Sequence, residues 1–228
     1  TSNGGTFQVD ASKSLNYDGV IAGTGGLTKS GTGTLVVTGA NTYTTTTIGA
    51  GTLQVGNGST TGSLGTGAVD VTGTLAFNRT DALTVTQDIS GTGGVSQLGS
   101  NTLTLTGGQT YTGATNVAAG NLVFQNDVPP TTSGFTGAGA VTIEPSSSAF
   151  TSVVTSNYTF ASTLTGFTLG KLNSTSDLTI GSDIAIAGPI RLYGGSLVLN
   201  ANVDLTTSNA SLILLEDSIF SVLPSSTS

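Results

Sequence analysis

Cysteine, histidine, methionine and tryptophan are absent from these 228 residues, and charged side chains make up only 7% of them. Without Cys and His there can be no disulfide, zinc finger, iron–sulfur cluster, haem ligand pair, Ser–His–Asp triad or Cys–His dyad. An ordinary globular chain carries roughly 25% charged residues, so this surface has to be made of hydroxyls and backbone. Five basic residues (Lys13, Lys29, Arg79, Lys171 and Arg191) face twelve acids, for a net charge of −7. No basic stripe able to neutralise phosphates can be assembled from them, which excludes nucleic acid as a partner. No apolar run approaches the roughly 18 residues of a spanning helix, so no membrane insertion is expected of this segment. The opening Thr-Ser-Asn-Gly-Gly is neither charged nor apolar. It carries no signal-peptide pattern and reads as the start of a piece cut from a larger exported protein.

Gly, Ser and Thr together make up nearly half of the chain. Such a composition can signal disorder. Here, however, hydrophobic residues still reach 36% and fall in ordered pairs, as in Leu178-Thr179-Ile180 and Leu197-Val198-Leu199.

The chain repeats itself at an offset of 68. Residues 21–47 match residues 89–115 at 14 of 27 positions. Ile21-Ala-Gly-Thr-Gly-Gly-Leu27 returns as Ile89-Ser-Gly-Thr-Gly-Gly-Val95, and Leu35, Gly39 and Tyr43 return as Leu103, Gly107 and Tyr111. Beyond the tyrosine the first copy reaches Leu53 one residue sooner than the second reaches Leu122, a slip that belongs at a turn. Within each copy the local period is two: Leu35, Val37; Leu53, Val55; Leu75, Phe77; Leu103, Leu105; Leu122, Phe124. These are short strands with one buried face, bounded by Gly, Asn and Ser, and no stretch shows a helical period.

In the C-terminal third the apolar pairs begin at Leu178, Ile184, Ile190, Leu197, Val203 and Leu212. Three steps of six or seven residues make a coil of roughly 19 to 21, the range of three-sided solenoids. On this reading the long repeat of the first part corresponds to about three larger coils. A solenoid explains both the short strands and the long-range repeat, whereas a sandwich wants longer strands and hairpins. The expected organisation is all-β, a parallel β-helix of roughly ten coils. Residues 1–125 would carry the repeats, 126–170 would form irregular or enlarged coils or a loop excursion around Pro129, Pro130 and Pro145, and 171–228 would resume with shorter three-sided coils.

Thr34-Leu-Val-Val-Thr-Gly39, Asn41-Thr-Tyr43-Thr44 and Ala50-Gly51-Thr-Leu53 resemble the passenger-associated transport repeat of Gram-negative autotransporters, as do Thr110-Tyr111-Thr112-Gly113 and Ala119-Gly120-Asn-Leu122. The first copy lacks one residue before Ile48, and the second has Gln109 in place of the usual Asn. Residues 166–197 are similar, more loosely, to filamentous-haemagglutinin-type exoproteins. Both resemblances imply a right-handed parallel β-helix on the bacterial surface, an adhesin or its stalk, with no catalytic residues in the repeat. They place the protein outside the cell or on the Gram-negative outer membrane, anchored or released.

Candidate sites are few. Asp177 and Asp183 could form a carboxylate pair of the glycosidase kind, which needs about 5 to 9 Å between the groups, or be turn residues at separate corners. Tyr17, Tyr43, Tyr111, Tyr158 and Tyr193 could form a sugar-stacking strip; the phase shared by Tyr43 and Tyr111 favours equivalent packing instead. Thr rows (Thr42, Thr44, Thr46; Thr84, Thr86; Thr102, Thr104, Thr106) come and go and read as outward strand positions. Gly23–Gly26 and Gly91–Gly94 lack the Lys-Ser/Thr of a phosphate loop and read as turns. Neither a calcium nonapeptide nor any other metal site is expected, and no cofactor, catalytic or metal-binding residue is assigned.

The function expected is a non-enzymatic segment of a secreted surface exoprotein, acting as adhesin shaft or adhesive surface. Its partners would be host or neighbouring cell-surface molecules, glycans among them, or the protein itself end to end. The other classes are a filament building block and, least favoured, a polysaccharide-degrading β-helix enzyme.

Overall fold

Short Thr/Val/Leu strands cannot bury a face alone, and this chain solves the problem by winding. The computed structural model describes residues 4–152, 154–209, 213–216 and 220–222. Among them are 26 strands and no helix, and every strand pairing is parallel. The strands stack into a solenoid of about ten turns with three faces. Leu212, expected to begin an apolar pair, lies outside the described residues.

Face one carries five strands, from Gly5–Gln8 through Leu27–Ser30, Thr46–Ile48 and Val69–Val71 to Ile89–Ser90. Face two carries eight, from Ser14–Tyr17 through Thr34–Val37, Thr52–Ser59, Thr74–Arg79 and Gly94–Gln97 to Thr159–Phe160. Face three carries seven, from Leu83–Val85 and Thr102–Leu105 to Ile213–Glu216. In chain order a four-stranded sheet beginning at Val154–Ser156 then takes the place of face one, and the pair Ile184–Ile186 and Leu205–Thr207 that of face two.

The register turns the period of two into columns of like side chains. On face two Leu15, Leu35, Leu53, Leu75 and Val95 stand one above another. On face three the column is Leu83, Leu103, Leu122, Val141, Phe167 and Ile190. Leu35, Leu53, Leu75, Leu103 and Leu122 are wholly buried. At about 4.8 Å per turn the columns form one continuous apolar core, and the intervening Thr and Ser face outward.

Turn length corrects the reading of the repeat. On face two Leu35 lies under Leu53, Leu53 under Leu75 and Leu75 under Val95, so the chain has completed three full turns by Val95. It then runs on around the corner to Leu103, the true counterpart of Leu35, which stands on face three. An offset of 68 is therefore three turns plus one face, not three larger coils. The second copy is the first copy rotated by one face about the rod. The expected shortening of the C-terminal coils is likewise not seen. The turns from Leu178 to Leu197 and from Leu197 to Phe220 are no shorter than those from Leu35 to Leu53 and from Leu53 to Leu75. Counting six or seven positions per step left out the longer corners.

The largest turns, from Phe135 to Phe160 and from Val141 to Phe167, widen the core. Aromatic rings fill it. Phe135 meets Phe124, Tyr158, Phe160 and Phe167 at centroid distances of 5.1 to 6.4 Å, and Phe160 meets Phe167 edge-on at 4.7 Å. Elsewhere the coils close on glycine: at Gly31 φ is +73°, and an added Cβ would collide with the backbone of Val9 one turn below.

Candidate functional site

The two repeat copies are built alike from the inside. Tyr43 and Tyr111 are buried at corners, and each ties its hydroxyl to the threonine that opens the next strand. Thr46 donates to the Tyr43 hydroxyl at 3.2 Å, and the hydroxyls of Tyr111 and Thr115 are 2.6 Å apart. The spacing is three residues in the first copy and four in the second, so the one-residue slip falls between tyrosine and strand. Burial pushes both phenols above the ordinary tyrosine range, most strongly at Tyr111.

A second shared element is a buried donor at the preceding corner. Lys29 lies inward on its strand with no exposed surface, and its ammonium donates to the carbonyls of Ser30 (2.8 Å), Gly31 (2.7 Å) and Ala50 (3.2 Å). Burial lowers its pKa from the usual lysine value. The equivalent residue, Gln97, is also fully buried, and its amide donates to the Gly99 carbonyl at 3.0 Å, the counterpart of Gly31. Sequence reasoning counted Lys29 only as one of five scattered basic residues and gave it no place in the fold. The signal was available, because Leu27 and Lys29 alternate in the same phase as Val95 and Gln97.

The third element differs between copies. Asn41 bridges three turns, accepting from the Ile21 N–H at 2.8 Å and donating to the Ser63 carbonyl at 2.7 Å. The longer Gln109 turns back on its own corner and donates to Gly107 at 3.0 Å.

The remaining candidates separate. Asp177 opens a strand of the four-stranded sheet, while Asp183 precedes Ile184–Ile186 in another sheet and accepts from the Asp204 N–H of the next turn at 2.9 Å. The two are not brought together as a pair. Tyr43, Tyr111 and Tyr158 are buried and cannot line an external strip. Thr42, Thr84, Thr86 and Thr102 are exposed, but Thr46 points inward, so the threonines form no continuous face. The glycines at 23–26 and 91–94 are corners followed by strands. Among the described residues there is no group of three or more His, Cys, Asp or Glu that could hold a metal, and no helix long and apolar enough to cross a membrane.

The one ion pair among the described residues was also missed. Arg79 grips Asp81 through two bonds of 2.9 and 2.6 Å and donates to the Gly62 carbonyl at 2.5 Å. It holds the Asp81 carboxyl below the ordinary range.

The passenger-associated-transport-repeat family model matches residues 27–55 and 95–124. Over 75 residues, 32% of this chain, the sequence is 51% identical to the "Adhesin BmaC autotransporter" of Brucella suis biovar 1 (strain 1330). The match covers 2% of that protein's length. No solved structure matches. The family matches end at residue 124, so the likeness of 166–197 to filamentous-haemagglutinin-type exoproteins rests on that segment alone. The two matched stretches, residues 27–55 and 95–124, are thus built alike on one solenoid, and each is similar to the passenger-associated transport repeat.

Proposed function

We propose that this segment is the rod of a secreted bacterial surface adhesin, a non-enzymatic shaft whose outward rows offer an adhesive surface. The pair of transport repeats carries the reading, supported by the name of the autotransporter relative. The hydroxyl-rich exterior fits it, since threonine and serine rows solvate the rod without stacking like charges turn upon turn. On this reading the parent protein is displayed on the outer membrane or released from it, and its partners are molecules on host or neighbouring cells.

The test is attachment. Whole turns of this rod are excised from the parent protein, and cell attachment is compared at matched surface display. Loss of attachment is the expected result. Unchanged attachment at unchanged display would reduce the segment to a spacer.

A further inference from the structure

The rod is uneven at one place beside the first repeat. On face two the turn from Leu53 to Leu75 is longer than the one below it, from Leu35 to Leu53. The surplus leaves the wall as a bulged loop that begins inside the strand Thr52–Ser59, where the pairing register shifts between Val55 and Ser59, and runs on through residues 60–62. Its ends are pinched together, since a Cβ on Gly62 would lie 2.7 Å from the Gly56 nitrogen. Gly56, Gly58 and Gly62 have φ of +82°, +89° and +104°, a conformation that side chains rarely adopt.

Beneath this loop lies a shelf of about 270 Å³, bounded by Thr38 and Ala40 of one turn, Thr60, Thr61 and Ser63 of the next and Arg79 of the third. Four of its polar side chains are pre-set. Arg79 is fixed by Asp81 and Gly62 and keeps two of its five N–H groups for a ligand. Thr38 is held by Asp18 at 2.7 Å and Thr61 by Ser59 at 3.1 Å, and the Ser63 hydroxyl accepts from the Asn41 N–H at 2.9 Å. Ala40 and the threonine methyls supply an apolar floor.

We propose that this shelf is a binding site for an uncharged sugar, taking one pyranose ring by a vicinal pair of hydroxyls. The volume admits a single ring and little more. The remaining N–H groups of Arg79 and the hydroxyls of Thr60, Thr61 and Ser63 present donors and acceptors side by side, the pattern a diol reads. An anionic ligand is disfavoured, because Asp81 already neutralises the guanidinium and Asp18 stands behind Thr38. The inference rests on the adhesive-surface reading for its biological role and names the ligand class of one patch of that surface.

The test is a titration of the isotope-labelled chain with methyl galactoside, methyl mannoside and methyl glucoside, and with methyl glucuronide as the charged arm, read by amide chemical shifts. At least one neutral glycoside is expected to give saturable shifts over residues 60–63, with a dissociation constant of about a millimolar or weaker. Ala40→Phe, an exposed position, fills the shelf without touching the core and is expected to weaken binding at least about tenfold. No saturable shift with any neutral glycoside, shifts that persist in Ala40→Phe, or tighter binding of the glucuronide would each overturn the proposal. The adhesive-surface reading is decided separately, by attachment of the excised parent, and survives a negative titration.

Discussion

Tyr111 and Thr115 join hydroxyls at 2.6 Å where neither side chain has any exposed surface. Thr115 also donates to Thr132 of the next turn at 3.0 Å, so the tyrosine is anchored to two turns at once. Removing the phenol leaves Thr115 with a partner, whereas removing the threonine hydroxyl orphans a buried phenol. Thr115→Val is therefore expected to cost about 1–3 kcal/mol and Tyr111→Phe about 1 kcal/mol, with the double variant losing less than the sum. Urea unfolding of the three variants measures this, and a double variant that loses the full sum of the two single costs would show that the bond contributes nothing.

Lys29 offers a comparison built into the chain. Gln97 performs the same task in the second copy with a neutral amide, so Lys29→Gln should cost less than Lys29→Met. The methionine variant leaves the carbonyls of Ser30, Gly31 and Ala50 without their shared donor. A difference of about 1–2 kcal/mol between the two variants is expected from unfolding midpoints. Equal stability would mean that the corner carbonyls find other donors.

The fold should weaken at both ends of the pH scale. The Ser147 N–H, then the Ser146 and Ser147 hydroxyls, hold the Asp127 carboxyl below the ordinary carboxylate range. A lowered folded pKa contributes stability above the unfolded value, near 4, that is lost as pH falls through the folded one. Asp127→Asn should flatten the acid limb of a melting-temperature profile. Burial raises the phenols of Tyr43, Tyr111 and Tyr158. Their contribution is complete below the unfolded value of about 10 and falls as pH rises toward the folded one. Tyrosinate absorbance should therefore rise in step with unfolding; full ionisation with the fold intact would contradict the burial of these rings.

Damage to the core should stay local. Leu103 has no exposed surface, and Leu103→Asp places a carboxylate in a column of leucines with no cation to meet it, at a cost of several kcal/mol. Contacts in a solenoid run only between neighbouring turns. Limited proteolysis is expected to cut Leu103→Asp near residues 90–125, while Thr104→Asp stays resistant. Cutting of Thr104→Asp with Leu103→Asp resistant would mean that the strand faces are reversed, and equal resistance would contradict the burial of Leu103.

Much of this architecture was legible from alternation alone. Leu35 with Val37 and Leu103 with Leu105 point inward as a period of two requires, and glycine marks the corners. What escaped is what the corners do. Because they vary in length, a sequence offset of 68 cannot by itself separate whole turns from turns plus a face. The inward direction of Lys29 was hidden by its charge, although its alternation with Leu27 shows it. The shelf beside Arg79 depends on the long turn from Leu53 to Leu75 lying against the shorter one below it, a mismatch that only the register reveals.

The turn length and the one-face rotation of the second repeat can be tested by cross-linking, since the chain has no cysteine of its own. Thr84 and Thr104 face each other in register on adjacent turns of face three, within the reach of a disulfide. Ala82 lies two residues off that register, more than about 7 Å from Thr104 and too far to bridge. Under mild oxidation, Thr84→Cys with Thr104→Cys is expected to cross-link readily and Ala82→Cys with Thr104→Cys to stay reduced. A cross-link in the second pair but not in the first would mean longer turns, three whole ones to each sequence repeat, and would contradict the rotation.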